Sequence, residues 1–285
     1  MKELSLREIQ LAEFGVLQKL DALCRQLELR YYLFYGTLLG AVRHQGFIPW
    51  DDDVDVAMPR PDYEKLLDYC DQNAETLAPF RLMHCRKDKE YIYPIARLCD
   101  TRYTVDYEGT VDYGLGLFVD LYPLDGCGDT EAEARKIHKK NDTLQRLTHL
   151  AGTDKFHPSL KGGIHRTVIK FLSYCYAKPL GARHFALKAE KNSMALPFDE
   201  SKYVSCTVWF DWFHCFDKAI LAEPTYLTFE EGQYSVPAGW DGLLKDWYGD
   251  YMQLPPEEQR VGHHYYKAYL KEGYEGVSNN DKTGI

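Results

Sequence analysis

Apolar residues recur at three- and four-residue steps from Ile9 through Val16, Leu17, Leu20, Leu23, Cys24 and Leu27, and this spacing predicts a first helix ending near Leu29. Ser5-Leu6-Arg7-Glu8 precedes it in the form of a capping box, where a hydroxyl and a carboxylate each accept from a free N–H of the first turn. Tyr31 to Tyr35 reads as a short buried strand, Gly36-Thr37 as a tight turn and Leu38 to Arg43 as a second helix. Asp53 to Met58 alternates in the manner of a strand and stops at Pro59, and Asp62 to Cys70 resumes helical spacing. Phe80 to Cys85, Pro94 to Cys99, Tyr103 to Asp106 and Leu117 to Tyr122 are further strands. From Thr130 to Ala195 helical pattern takes over, with loops at Gly152 to Ser159 and Pro179-Leu180-Gly181. Short strands follow Lys202, and Gly239 to Tyr248 predicts a helix stopped by Gly249. The first part is therefore α/β or α+β, with a helical unit inserted or appended.

The chain has 285 residues, 45% of them hydrophobic, and a formal charge of −9. That length allows one large domain or two small ones, with core enough to enclose a site. The negative sum argues against a protein that holds a nucleic-acid polymer by its net field, although a sum can hide a local patch. Met1-Lys2-Glu3-Leu4 opens in mixed charge, and the longest apolar stretch, Tyr31 to Val42, is broken by Gly36, Thr37 and Gly40. Neither an export signal nor a membrane span is expected. Eight cysteines without a C-x-x-C pair read as reduced thiols of a cytoplasmic protein.

The densest chemistry is Trp50-Asp51-Asp52-Asp53-Val54-Asp55. Four carboxylates in five residues repel one another, so they need water or a cation. Alternation along a strand would place Asp53 and Asp55 on one face and Val54 and Val56 on the other. Two carboxylates side by side on a rigid element suit Mg²⁺, with substrate phosphate and water completing the octahedron. A calcium loop does not fit, because its glycine and glutamate places hold Val56 and Asp62. A solvated acidic turn is the alternative, weighed down by the flanking valines and aromatics. Gly36-Thr37, where a strand meets a helix, could offer backbone N–H groups and a hydroxyl to a phosphate, or simply be turn chemistry.

The run from Gly36-Thr37-Leu38-Leu39-Gly40 to Trp50-Asp51-Asp52-Asp53-Val54-Asp55-Val56-Ala57-Met58-Pro59-Arg60 closely resembles the LicD family of phosphorylcholine transferases. Phe118-Val119-Asp120-Leu121-Tyr122-Pro123-Leu124-Asp125-Gly126, Val236-Pro237-Ala238-Gly239-Trp240-Asp241 and the stretch from Tyr248-Gly249-Asp250-Tyr251 to Glu258 continue the likeness. Wider relatives include the fukutin-related ribitol-phosphate transferases, and the group resembles the polymerase β-like nucleotidyltransferase fold. The resemblance implies an α+β fold, a nucleotidyltransferase-like mixed sheet flanked by helices. Its expected parts are a catalytic core at 1–127, a basic helical insertion at 128–200 and a C-terminal part at 201–285 that completes the catalytic domain. It places the metal-binding pair on Asp53 and Asp55 and a third carboxylate on Asp120, with Mg²⁺, or Mn²⁺ in its place, as the cofactor. Asp120 sits between Val119 and Leu121, where a lone charge is costly; its alternative is a carboxylate satisfied by a nearby Arg. Asp125, before Gly126, reads as a turn former, and Asp51 and Asp52 as residues that orient the loop.

For a donor diphosphate the candidates are Arg43, Arg60, Arg97 and Arg102, because the guanidinium fork donates two parallel hydrogen bonds. Arg97, fixed in a strand, ranks first and Arg43 second; either could instead be an ion-pair partner of the aspartates. His44, His263 and His264 are set aside as packed or surface residues. Gly36, Thr37, Trp50 and Asp51 complete the substrate-side set, and Trp50, Tyr107, Tyr113, Trp209, Trp212 and Trp240 are aromatics able to hold a quaternary ammonium or to fill core.

The expected reaction moves a phosphorylcholine-type group from a CDP-linked small-molecule donor to a hydroxyl of a glycan or lipid-linked glycan, such as lipopolysaccharide or teichoic acid, and releases CMP. Nucleotidyl transfer from CTP or another NTP is the rival chemistry, and a non-catalytic nucleotide- or glycan-binding module the rival class. Residues 130–195 hold thirteen Lys or Arg against five acids, leaving −17 for the rest of the chain. With Val168, Ile169, Leu172 and Cys175 on one face, this segment either docks an anionic glycan or the inner membrane surface, or packs that face on the catalytic body with its lysines solvated.

Overall fold

The computed structural model describes residues 1–107, 114–158, 163–208, 213–223, 225–262 and 266–276, with Tyr107 described in its backbone alone. Tyr113, Trp209, Trp212, His263 and His264, and the side chain of Tyr107, lie outside the described residues. The elements are β1 (Lys2–Glu3), α1 (Leu6–Gln26), β2 (Tyr32–Leu33), α2 (Tyr35–His44), β3 (Asp55–Pro59), α3 (Arg60–Gln72), α4 (Ala74–Leu77), β4 (Phe80–Met83), β5 (Ala96–Asp100), β6 (Tyr103–Tyr107) and β7 (Leu117–Gly126). They continue with α5 (Glu131–Gly152), α6 (Gly163–Ala177), α7 (Ala182–Ser193), β8 (Tyr203–Ser205), β9 (Phe216–Asp217), β10 (Thr225–Phe229), β11 (Gly232–Val236), α8 (Trp240–Tyr248) and β12 (Tyr266–Leu270). The fold is α+β, as the sequence implies.

The chain gathers into two compact units, one of Met1–Leu82, Arg97–Tyr122 and Ala219–Ile285, the other of Met83–Ala96 and Pro123–Lys218. In the first, the strands stand in the order β2-β3-β7-β5-β4. A second sheet, β1-β12-β6, joins the two ends of the chain through the pairs Lys2↔Leu270 and Tyr269↔Thr104. The capping box forms at Ser5 and Glu8, and α1 buries Ile9, Val16, Leu17, Leu20 and Leu23 on the predicted stripe.

Three boundaries differ from the sequence reading. The strand expected at Tyr31 to Tyr35 is only two residues long, and α2 already begins at Tyr35, drawing Gly36 and Thr37 into its first turn. Tyr35 makes that reversal alone, with φ of 43°, so no turn residues are needed between strand and helix. Asp53 lies ahead of β3, so Asp53 and Asp55 do not share a strand face. The ladder with β2 begins at Leu33↔Val56; a two-residue partner gives no reason to extend the strand upstream. β7 runs on through Pro123 to Gly126, because Asp125 and Gly126 pair with Ser205 and Val204 of β8. Asp125 is thus a buried strand residue, not a turn former.

In the second unit α5 packs on α6 and α7, and Ala151, Ala177, Ala182 and Phe185 form a small apolar core with Ile92, Leu144, Leu147 and Leu150 around it. A buried amide network sits beside them. Asn141 Nδ2 donates to Ser193 Oγ at 2.7 Å and to the Thr207 carbonyl at 2.9 Å, and Asn192 Nδ2 donates to Asn141 Oδ1 at 2.8 Å. The predicted apolar face of α6 is exposed at Val168, Ile169, Leu172 and Cys175. All eight cysteines are free. No helix among the described residues is long and apolar enough to cross a membrane.

Candidate active site

Tyr35 occupies the left-handed region, which a bulky side chain enters only under strain. Its ring is fixed against Phe34 at 4.7 Å, Trp247 at 4.9 Å and Tyr122 at 5.3 Å between centroids. The next two residues hold the acidic loop. A Cβ on Gly36 would stand 2.9 Å from Asp51 Oδ2, so only glycine lets that carboxylate reach the start of α2. Thr37 Oγ1 accepts the Asp55 N–H at 2.8 Å. The anion beside the positive end of this helix is therefore the protein's own Asp51, and the buried Thr37 hydroxyl is occupied in fixing the backbone of Asp55.

Asp55 is buried, and its Oδ1 has no hydrogen-bond partner among the described residues. Burial, then the charges of Asp53, Asp120 and Asp51, push its carboxyl well above the usual range, opposed by a hydrogen bond with the Tyr122 side chain. Asp120 is brought beside this group through the sheet, its N–H donating to the Val54 carbonyl at 2.9 Å. Its carboxylate pairs with Arg97, Nε to Oδ1 at 2.5 Å and Nη2 to Oδ2 at 3.3 Å, while the Arg97 guanidinium lies 4.0 Å over the Phe118 ring. The alternative noted for both residues, a buried ion pair, is what the structure contains.

The other arginines divide by partner. Arg60 pairs with Glu64 at 3.1 Å and Arg102 with Asp100 at 2.6 Å. Arg43, half-buried on α2, donates to the Tyr251 carbonyl at 2.9 Å and to His44 Nε2 at 3.0 Å, with no carboxylate in reach among the described residues. Of the four candidates it is the one with charge to spare for an anion. Trp50 is half-buried, with His44 edge-on at 6.4 Å and the Arg260 guanidinium 5.8 Å from its ring, so a cation already meets that ring. Trp240 opens α8.

Glu13, on α1, is fully buried, and its Oε2 has no partner among the described residues. Burial, then Asp53, Asp52 and Asp120, hold its carboxyl well above the usual range. The Tyr266 hydroxyl stands 3.2 Å from its Oε1 and 3.0 Å from the Asp52 carbonyl. Sequence reasoning passed over Glu13, although its place between Ala12 and Phe14 on the apolar stripe of α1 signals a buried acid. It also passed over Tyr122 and Tyr248. Tyr248 is 43% exposed, and desolvation of its hydroxyl, then the charges of Asp55, Asp51 and Asp53, push that group up.

Among the described residues no three His, Cys, Asp or Glu side chains stand together as a ready metal-ligand set. The feature that fits a cation is the unpartnered Oδ1 of Asp55: a buried carboxylate oxygen facing further carboxylates is stabilised by positive charge or by a proton. Asp53 and Asp55 suit a hard divalent ion that draws its other ligands from water and phosphate. Asp120 is committed to Arg97.

Residues 28–151 match the family described as LicD/FKTN/FKRP, nucleotidyltransferase domain. Over nearly its whole length the chain is similar to the lipopolysaccharide cholinephosphotransferase LicD of Haemophilus influenzae, with 30% identity over 281 residues, 95% of this chain and 100% of that protein. An uncharacterised protein of Rickettsia prowazekii and one of Rickettsia typhi are each 40% identical over 52 residues, 18% of this chain and 20% and 17% of theirs.

Proposed function

The chain is a LicD-family transferase, and on that premise we propose that it moves a phosphorylcholine-type group from a CDP-activated donor to a glycan hydroxyl and releases CMP. The observation that carries the reading is the unpartnered Asp55 Oδ1 among carboxylates, in a chain similar end to end to a cholinephosphotransferase. Asp53 and Asp55 would hold Mg²⁺, or Mn²⁺ in its place; when bound, the ion neutralises charge on the donor diphosphate. Arg43 binds a diphosphate oxygen. The acceptor oxygen attacks the phosphorus that bears the choline group, the bond from that phosphorus to the bridging oxygen breaks, and CMP leaves with the bridging oxygen. The hydroxyl proton passes to a carboxylate of the cluster or to water. Most of the rate gain comes from positioning and charge neutralisation, as in phosphoryl transfer generally. Thr37 and Gly36 position the acidic loop, and the Arg97–Asp120 pair braces the sheet beneath it. The enzyme works in the cytoplasm, in peripheral contact with the membrane that carries a lipid-linked acceptor.

The test is turnover of the purified chain with Mg²⁺, acceptor glycan and a donor panel of CDP-choline, CDP-ethanolamine, CDP-ribitol and CDP-glycerol. CMP release with one donor is expected; none with any donor overturns the reading. The family description as a nucleotidyltransferase domain favours one second reading, transfer of a nucleotidyl group from CTP or another NTP to a small phosphate ester, which would release pyrophosphate instead.

A further inference from the structure

Helix α6 of the second unit is inverted relative to an ordinary surface helix. At ~100° per residue, Phe171, Ile164, Val168, Leu172 and Tyr176 fall along one arc, and they face outward, with Ile164 86% and Leu172 62% exposed. The opposite arc, Thr167, Lys170, Ser173, Tyr174 and Ala177, is the covered one. A helix that packs on protein normally does the reverse, burying its apolar stripe and showing its polar face. Exposed apolar side chains are common singly, but a continuous arc of them marks a surface that meets something apolar.

Charge defines the partner. From Lys155 to Gly181 the chain carries five Lys or Arg and two His, and no Asp or Glu. Arg166 and Lys170 line a groove of about 850 Å³ together with Asp142, Arg146 and His149 of α5. An apolar helix face in a segment that carries cations and no acids is the pattern of a helix lying in a lipid interface. At 15 residues and ~1.5 Å per residue it is too short to span one. A second copy of this face is a poor occupant, because a two-fold contact would bring together two segments that each carry five Lys or Arg and no acid.

We propose that α6 is a bilayer-docking helix: its apolar arc enters the acyl boundary of an anionic membrane while the exposed Arg166 reaches lipid phosphates. This deepens the reading above by naming the membrane contact, and rests on that reading only for why the acceptor lies at a bilayer. The experiment is flotation of the full chain, without donor, with vesicles of phosphatidylglycerol and phosphatidylcholine in equal parts and with phosphatidylcholine alone. The chain should float with the anionic vesicles at low salt. Val168→Ser combined with Leu172→Ser, at exposed positions, should keep the melting temperature and lower partitioning by about tenfold or more. Arg166→Gln should weaken it about fivefold at low salt and little at high salt. A folded chain that stays with the buffer overturns the proposal, as does unchanged flotation of the double variant. Self-association that the double variant abolishes, without vesicle binding, would assign the face to a second copy. CMP release on a soluble acceptor separates the two readings: release without flotation removes only the docking helix, and flotation without release removes only the proposed reaction.

Discussion

Around Asn141, buried polar groups are matched donor to acceptor: its amide reaches Ser193 and Thr207, Asn192 reaches Asn141, and the Ser193 hydroxyl closes on the Ala189 carbonyl at 3.1 Å. Around Asp55, carboxylates face carboxylates, and Asp55 Oδ1 and Glu13 Oε2 have no partner. The first cluster is what a protein builds when a buried polar group serves the fold, since each satisfied bond offsets desolvation. The second raises the energy of the folded chain until a proton or a cation arrives. Clustered like charges that cost stability are the pattern of a functional site.

Substitutions at the two clusters should therefore separate activity from stability. The largest effect is expected for Asp55→Asn, which keeps the shape and removes the charge: CMP release should fall by about a thousandfold or more while the melting temperature holds or rises. Mg²⁺ binding by calorimetry should vanish with it, and full turnover by this variant would dissolve the contrast. Asn141→Ala should do the opposite, lowering stability by about 3 kcal/mol in denaturant unfolding, because Ser193, Thr207 and Asn192 lose partners at once, with turnover per folded molecule unchanged. Arg43→Gln should raise KM for the donor by about 10- to 100-fold, the loss of a charge-assisted contact to phosphate, with a smaller change in stability.

The smallest effect concerns pH. Glu13 binds its proton more tightly folded than unfolded, so its contribution to stability is complete below the ordinary glutamate range and declines as pH rises toward its raised folded value. Metal-free protein should melt at a lower temperature at neutral pH than near pH 5. Glu13→Gln should flatten that slope and stabilise the neutral protein by about 1 kcal/mol. A steeper slope in the variant would mean that the burial of Glu13 is offset by a partner it does not share with Asp55.

Much of the site was legible because its parts are consecutive. The acidic run, the glycine at 36 and the strand that ends in Pro59 are local features, governed by charge repulsion, conformational freedom and a missing N–H. The placement of Asp53 ahead of the strand was not legible, because the start of β3 depends on how far β2 runs beside it. Nor was the ranking of the arginines. Arg97 and Arg43 look alike in a sequence, and only the register of β5 and β7 sets Asp120 against one and not the other.

Local pattern and a long specific likeness determined the helices, the α+β class and the family, which follow from runs of consecutive residues. The tertiary structure decided which charges are matched. It buried Glu13 and left Asp55 Oδ1 without a partner, occupied Arg97, left Arg43 without a carboxylate, and turned the apolar arc of α6 outward. Partners and exposure depend on residues distant in sequence meeting across sheets and helices, and periodicity carries no information about where those meetings occur.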